Sequence, residues 1–356
     1  MWTVNPGPKK PKAAVMKPMT VNVISESAFT AQAHGVHTTF SENCVMLRRL
    51  QDVDLRVNAL RKSDLVHIHT VGPYALLHLL LGRSTKIVTA HLTPGSFVGS
   101  VRGGQSLSSV VRRYLVWFYN KADAVLAVSE QVLTDLVDLG VSTPIYVLPN
   151  SLDTTRFRCT KDTRTSARAK LGIDPGSFVV LSVGQVQPRK RVSVFVECAR
   201  SLPEVRFVWV GGILFGPISA GRRDLTRLMD TAPDNVTFVG KLDRGRLIDY
   251  YRAADLFFFP SAHETFGMVI IEAASAGLPL LLRDLAQYRR TFPDAYVPGD
   301  ETTFVNLIAK FASDDNFRAH WRSRSATLVA EYDSKRGVER LMRTYRAVLC
   351  PRAGET

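Results

Sequence analysis

Along the chain, compact apolar runs alternate with stretches whose apolar residues return at helical spacing. Met19 to Ser25, Leu65-Val-His-Ile-His69, Lys86-Ile-Val-Thr-Ala90, Ala124 to Val128 and Ile145 to Leu148 are short and rich in β-branched residues. That is the pattern of strands buried on both faces. Gly35 to Leu50, Tyr74 to Leu81 and a segment ending at Gly140 lie between them and read as helices. The alternation pauses around Pro149-Asn-Ser-Leu-Asp153. It restarts at Phe178-Val-Val-Leu-Ser-Val-Gly184 and continues through Arg206 to Val210, Val236 to Val239 and Leu256-Phe-Phe-Phe259. From Thr302 to Leu349 the spacing is helical. Strand and helix in turn build parallel sheets, so the pattern predicts an α/β fold of two Rossmann-like units that meet near residues 150–160. A length of 356 residues, beyond the usual size of one core, agrees.

The most informative stretch is Pro260-Ser-Ala-His-Glu-Thr-Phe-Gly-Met-Val-Ile-Ile-Glu272, which begins where the run 256–259 stops. Its helical part runs to Gly277, with Pro279 beyond as a stop signal. A strand-end loop feeding a helix offers an anion the free amides around Thr265 to Val269 and the positive end of the helix dipole. Glu264 just before the helix and Glu272 inside it bracket that site with acceptors. Such a site suits a ligand that joins a diphosphate to sugar and ribose hydroxyls.

These residues carry a family resemblance. Glu264 and Glu272, set in P-S-x-x-E-T-F-G-x-V-I-x-E-A-x-x-x-G-x-P, resemble the E-x7-E signature of retaining glycosyltransferases of family 4. That family has the GT-B fold, two Rossmann-like domains facing across a cleft. The resemblance implies an acceptor domain over 19–155, a nucleotide-sugar donor domain over 156–330 and a helix over 331–356 that crosses back to the first domain. It assigns Glu264 to the sugar hydroxyls, assisted by the amides of Phe266 and Gly267. Glu272 is assigned to the ribose, and the helix start at Met268 and Val269 to the diphosphate. Gly184-Gln-Val-Gln-Pro-Arg-Lys190 resembles the loop that grips the diphosphate: Lys190 matches its lysine, Gln185 stands where arginine is usual, and Arg189 is the cation at hand to compensate. His91 matches the cleft histidine that contacts the transferred sugar, whereas His67 and His69 read as structural. Gly35 matches the second glycine of the family's first loop, with His34 in place of the first, so Ser25 to His37 is expected beside the acceptor. Lys241 to Tyr251 resembles the base-binding segment. Glu26-Ser-Ala-Phe, His34-Gly-Val-His37 and Arg283-Asp284 resemble a bacterial subgroup linked to diacylglycerol glycolipids.

Charge narrows the partners. A net charge of +14 favours nucleotide phosphates, an anionic membrane or nucleic acid. Ser96 to Lys121 carries Arg102, Arg112, Arg113 and Lys121 and no acid, interleaved with Tyr114, Leu115, Trp117, Phe118 and Tyr119. That describes either an interfacial amphipathic helix or a core helix with solvated arginines. The resemblance favours the first, because family-4 enzymes with lipid acceptors use such a face, and it assigns Arg102, Arg112, Arg113 and Trp117 to the membrane. Residues 1–18, with four lysines, four prolines and no acid, are expected to form a disordered basic tail rather than a signal peptide or spanning helix. The longest apolar stretch, near Tyr74 to Leu81, falls short of the ~20 residues needed to span a bilayer. Asp52-Val-Asp54 has the D-x-D form of metal-dependent transferases but lacks its context and reads as surface carboxylates. The four cysteines form no C-x-x-C pair, which argues against structural zinc and for reduced thiols.

The resemblance thus implies a retaining hexosyltransferase. The donor would be a nucleotide diphosphate sugar such as UDP-glucose or UDP-galactose, and the acceptor a hydroxyl of diacylglycerol or glycosyl-diacylglycerol. The enzyme would be peripheral on the inner face of the cell membrane. No cofactor, metal or nucleic acid is expected. The alternatives are the same chemistry on a soluble acceptor, and a non-enzymatic basic protein that binds membrane or nucleic acid. The sequence leaves the oligomeric state open.

Overall fold

The computed structural model describes residues 17–29, 35–93, 108–213 and 221–350. The expected tail, apart from Lys17 and Pro18, lies outside them, as do His34 and Arg102. Two parallel six-stranded sheets organise the molecule. The first contains β1 (Met19–Ile24), β2 (Val53–Val57), β3 (Leu65–Ile68), β4 (Thr85–Ala90), β5 (Ala124–Ala127) and β6 (Ile145–Val147), in the order β2-β1-β3-β4-β5-β6. The second contains β7 (Val179–Val183), β8 (Arg206–Val210), β9 (Val236–Gly240), β10 (Leu256–Phe259), β11 (Leu280–Arg283) and β12 (Val297–Gly299), in the order β12-β11-β10-β7-β8-β9. Central strands such as β5, β7 and β10 are buried along their whole length, which is why they read as unbroken apolar runs.

Helices α1 (Gly35–Arg48), α2 (Pro73–Leu80), α3 (Ser108–Tyr119) and α4 (Glu130–Leu139) flank the first sheet. In the second sheet the winding reverses between β7 and β10, so the loops at their carboxyl ends diverge and leave a crevice. In the first sheet β1 lies between β2 and β3, and β3 and β4 end side by side.

The last helix, Ser334–Leu349, returns to the first sheet. Its Leu341, Met342 and Tyr345 share a core with Val21, Val23, Phe40 and Leu47. Gly337 makes the crossing possible: a Cβ there would fall 1.8 Å from Ser151 Oγ in the connector. Leu152 N donates to Tyr332 O at 3.1 Å beside it. Among the described residues, no helix is long and apolar enough to cross a membrane.

Candidate active site

The crevice of the second sheet brings two loops together. After β7 the chain reaches Lys190 through a short 3-10 turn, Pro188–Lys190, and after β10 it reaches Glu264. The Lys190 ammonium touches Glu264 Oε1 directly, Ser261 Oγ donates to the same oxygen at 2.7 Å, and Arg189 Nη1 lies 3.3 Å from it. Arg189 also donates through Nη1 to His263 O at 2.9 Å and through Nε to Gln187 Oε1 at 3.1 Å. Gln187 in turn donates to Gln185 Oε1 at 2.5 Å. The glutamine that replaces the expected arginine therefore anchors a short chain that steers Arg189 toward Glu264. Two cations occupy the loop after all.

Lys190 and Glu264 are buried, and Lys190 lies over the Phe259 ring at 4.7 Å. Burial pushes the Lys190 ammonium down to about 8, with Glu264 pulling the other way. Burial alone would raise the Glu264 carboxyl, but Lys190 and Arg189 together hold it below the ordinary glutamate value.

The helix Met268–Ser275 begins at Gly267, whose φ of 94° lies in the left-handed region. A Cβ there would come within 2.8 Å of Ile270 Cδ1, so glycine is the residue that fits. The first-turn amides of Met268 and Val269 have no acceptor within an α-helix, whereas Ile270 N bonds back to Gly267 O at 2.9 Å. The Phe266 ring is core, packed edge-on against Phe292 and Tyr332. Glu272, also buried, accepts from Tyr251 OH at 2.7 Å and lies 3.6 Å from Arg244 Nη2. Burial raises its carboxyl, and Arg244 opposes the rise.

Arg244 links the two domains. Its Nη1 donates at 2.5 Å to Glu42 Oε1 on α1, and the other oxygen of Glu42 accepts from Asp153 N in the connector at 3.0 Å. Ser129, the N-cap of α4, makes a second tie by donating to Thr265 O at 2.8 Å. Glu42, Arg244 and Tyr251 escape the sequence reading as individual residues. Glu42 looks like one polar position on an amphipathic helix, and its partner Arg244 lies 202 residues away.

The first domain contributes a row of histidines. His69 follows β3 and His91 follows β4, so neighbouring strand ends bring them together, with His69 Nδ1 3.1 Å from His91 Nε2. Asn43 Nδ2, on α1, lies 3.4 Å from His69 Nε2. His67 sits one residue inside β3 between Tyr345 OH at 2.7 Å and Thr89 Oγ1 at 2.6 Å. Burial, with repulsion from His91, pushes its imidazolium down to about 3. Gly35 opens α1 at the surface, while the loop residues 30–34 lie outside the described residues. Glu26 closes the start of α2, accepting from the amides of Gly72, Tyr74 and Ala75 at 3.1, 2.6 and 3.1 Å. No spacing in the sequence signalled that cap.

On α3, Leu115, Phe118 and Tyr119 face the core, whereas Arg113 and the partly exposed Trp117 point outward. Both readings of this helix describe one of its faces. Arg112, expected to face a membrane, is exposed and also donates to the carbonyls of Asp138 and Leu139 at 3.0 and 3.4 Å, in the last turn of α4. A guanidinium there satisfies unpaired carbonyls at a helix end, and Arg112 stays on the exposed face that it shares with Arg113 and Trp117. The D-x-D carboxylates are surface partners: Asp52 pairs with Arg346 at 3.2 Å and Asp54 with Arg56 at 3.1 Å.

Comparison with known proteins bears on the family and the fold. Residues 22–156 match the family described as Glycosyltransferase Family 4, and residues 163–327 match Glycosyl transferases group 1. The alpha-galactosylglucosyldiacylglycerol synthase of Streptococcus pneumoniae is 33% identical over 279 residues, covering 77% of this chain and 74% of that protein. The processive diacylglycerol alpha-glucosyltransferase of Acholeplasma laidlawii is 27% identical, covering 60% of this chain and 67% of that protein. A D-inositol 3-phosphate glycosyltransferase of Catenulispora acidiphila is 32% identical, covering 52% and 47%. Among solved structures, Anabaena Alr3699/HepE in complex with UDP-glucose has a TM-score of 0.75 at 18% identity, covering 92% of this chain and 100% of that one. Sucrose-phosphate synthase from Thermosynechococcus elongatus has a TM-score of 0.77 at 18% identity, over 93% and 99%. At that identity the likeness concerns the fold. The chain has the GT-B fold and belongs to the group 1 and family 4 glycosyltransferases.

Proposed function

We propose that this glycosyltransferase moves a hexose from a UDP-sugar to a hydroxyl of a membrane glycerolipid, with retention at the anomeric carbon. The observation that carries the reading is the meeting of Lys190, Arg189 and Glu264 at the winding reversal of the second sheet. The names of the streptococcal and Acholeplasma relatives support the lipid acceptor, and the ligand of the Anabaena structure supports the donor.

The chemistry follows from charge. As the glycosidic phosphate bond breaks, negative charge grows on the departing diphosphate. Lys190, Arg189 and the first-turn amides of the helix Met268–Ser275 are preorganised to meet it. Donor binding brings a second set of acceptors to the two cations, so Glu264 becomes available to the sugar hydroxyls while staying ionised. Glu272, oriented by Tyr251, serves the ribose hydroxyls. His91 contacts the sugar from the first domain. The acceptor hydroxyl attacks the face the phosphate leaves, and the phosphate takes its proton. On this reading two cations and a helix end supply the charge a divalent metal would bring, and no cofactor beyond the nucleotide sugar is called for. Trp117 and Arg113 on the outer face of α3 would meet an anionic bilayer, which makes the enzyme peripheral on the inner leaflet, with no role for nucleic acid.

The test is transfer from labelled UDP- and GDP-sugars in the presence of anionic liposomes carrying diacylglycerol or glucosyl-diacylglycerol. Labelled lipid from a UDP-sugar is the expected product. Label passing instead to a water-soluble inositol phosphate would favour a soluble acceptor, the reading supported by the name of the Catenulispora relative.

A further inference from the structure

The histidine row has a direction. The side-chain amide nitrogen of Asn43 donates only, and it faces Nε2 of His69. A neutral imidazole has one N–H and one lone pair, so a His69 that accepts at Nε2 carries its proton on Nδ1. Burial first, then repulsion from His67 and His91, holds the His69 imidazolium well below its ordinary value, which keeps that ring neutral. His69 Nδ1 lies 3.1 Å from His91 Nε2. The two ring centroids are 5.4 Å apart with planes 21° from parallel, the edge-to-edge placement that an in-plane N–H···N bond requires. His91 Nε2 must therefore accept.

We propose that His69 is a positioning residue for sugar transfer: it donates to His91 Nε2 and so fixes His91 in the tautomer with its proton on Nδ1. The consequence is chemical. In that tautomer the second nitrogen of His91 is a donor, able to hydrogen-bond a sugar oxygen but unable to remove a proton from it. His91 is then a polarity-fixed clamp and not a general base, which leaves the acceptor proton to the departing phosphate. The anchor of the row is the returning helix, because His67, whose ring lies 4.3 Å from that of His69, is held by Tyr345 OH. This inference rests on the reading that His91 faces the donor sugar.

The test uses the full chain labelled with 15N-histidine, with ring tautomers read from long-range 15N–1H correlation spectra and the His91 signals assigned by His91→Gln. Wild-type His91 should show a protonated Nδ1 and an unprotonated Nε2. Asn43→Asp replaces a donor by an acceptor and should invert the row, moving the His91 proton to Nε2. His69→Leu should leave His91 a mixture of tautomers and lower kcat on the order of tenfold, the worth of one oriented hydrogen bond, with a small change in donor KM. His69→Asn, whose amide nitrogen stands where Nδ1 stood, should restore both. A wild-type His91 protonated at Nε2, or a His91 spectrum unchanged in Asn43→Asp, would overturn the proposal even if His69→Leu does not fold. Full transfer by His91→Ala would overturn its catalytic part, and the tautomer spectrum would then locate the failure in the role given to His91 and not in the hydrogen-bond row.

Discussion

Lys190 is buried against Glu264, so at the proposed donor site the protonation of one lysine bears on donor capture. Its ammonium titrates near 8 instead of at its ordinary 10.5. Below that pH the cation is present for the diphosphate, and above it the loop keeps Arg189 alone. The donor kcat/KM, which reports the free enzyme, should fall as pH rises through about 8. At saturating donor, kcat should persist to higher pH, because the bound diphosphate favours the ammonium. Lys190→Arg should remove that alkaline limb, and a profile flat through pH 8 in the wild type would show that Lys190 does not meet the donor. At the same scale, Glu272→Ala should bring donor affinity below detection by calorimetry while circular dichroism stays native. Glu272→Gln, which keeps an acceptor for Tyr251 OH, controls for loss of packing. Unchanged donor affinity in the alanine variant would sink the ribose assignment.

At the scale of elements, legibility follows the range of the physics. The strands were readable because burial on both faces leaves unbroken apolar runs such as Leu256–Phe259. The signature helix was readable because its glycine, helix start and two glutamates lie within one short segment. What depends on partners distant in sequence was not readable: Glu26 capping α2, Glu42 holding Arg244, and the direction of the His69–His91 contact. The α3 helix shows both cases, since its amphipathic face was legible but the contact of Arg112 with the end of α4 was not. The two arginines should therefore behave differently. Arg113→Glu with Trp117→Ala should weaken sedimentation with anionic liposomes and leave thermal stability nearly unchanged. Arg112→Ala should cost about 1 kcal/mol of stability and alter liposome binding little. Equal losses of liposome binding in both variants would show that the contact with α4 does not keep Arg112 from the membrane.

For the whole molecule, the ties between domains pass through the site itself. Glu42 links α1, the connector and Arg244, and Arg244 faces Glu272. Glu42→Ala should loosen that junction, seen as a larger radius of gyration in solution scattering and a raised donor KM. A compact variant with native KM would show that Ser129 and the returning helix hold the domains without it. Acid stability is the second global consequence. His67 is neutral when folded and titrates near 3, against 6.5 for the unfolded chain. Its contribution is fully present above pH 6.5 and is lost as pH falls from there toward 3. Denaturant midpoints measured downward from pH 7 should fall accordingly, and less steeply in His67→Gln.

The central claim is retaining transfer of a hexose from a UDP-sugar to a glycerolipid. Its most direct measurement is incubation of the protein with 13C-labelled UDP-glucose or UDP-galactose and anionic liposomes containing diacylglycerol or glucosyl-diacylglycerol, followed by the anomeric coupling constant of the labelled lipid. The account predicts an α-linked glycolipid that forms only when the liposomes are present and is lost in Glu264→Gln. A β-linked product would contradict retention, and a UDP-sugar consumed with label only in water-soluble product would contradict the lipid acceptor.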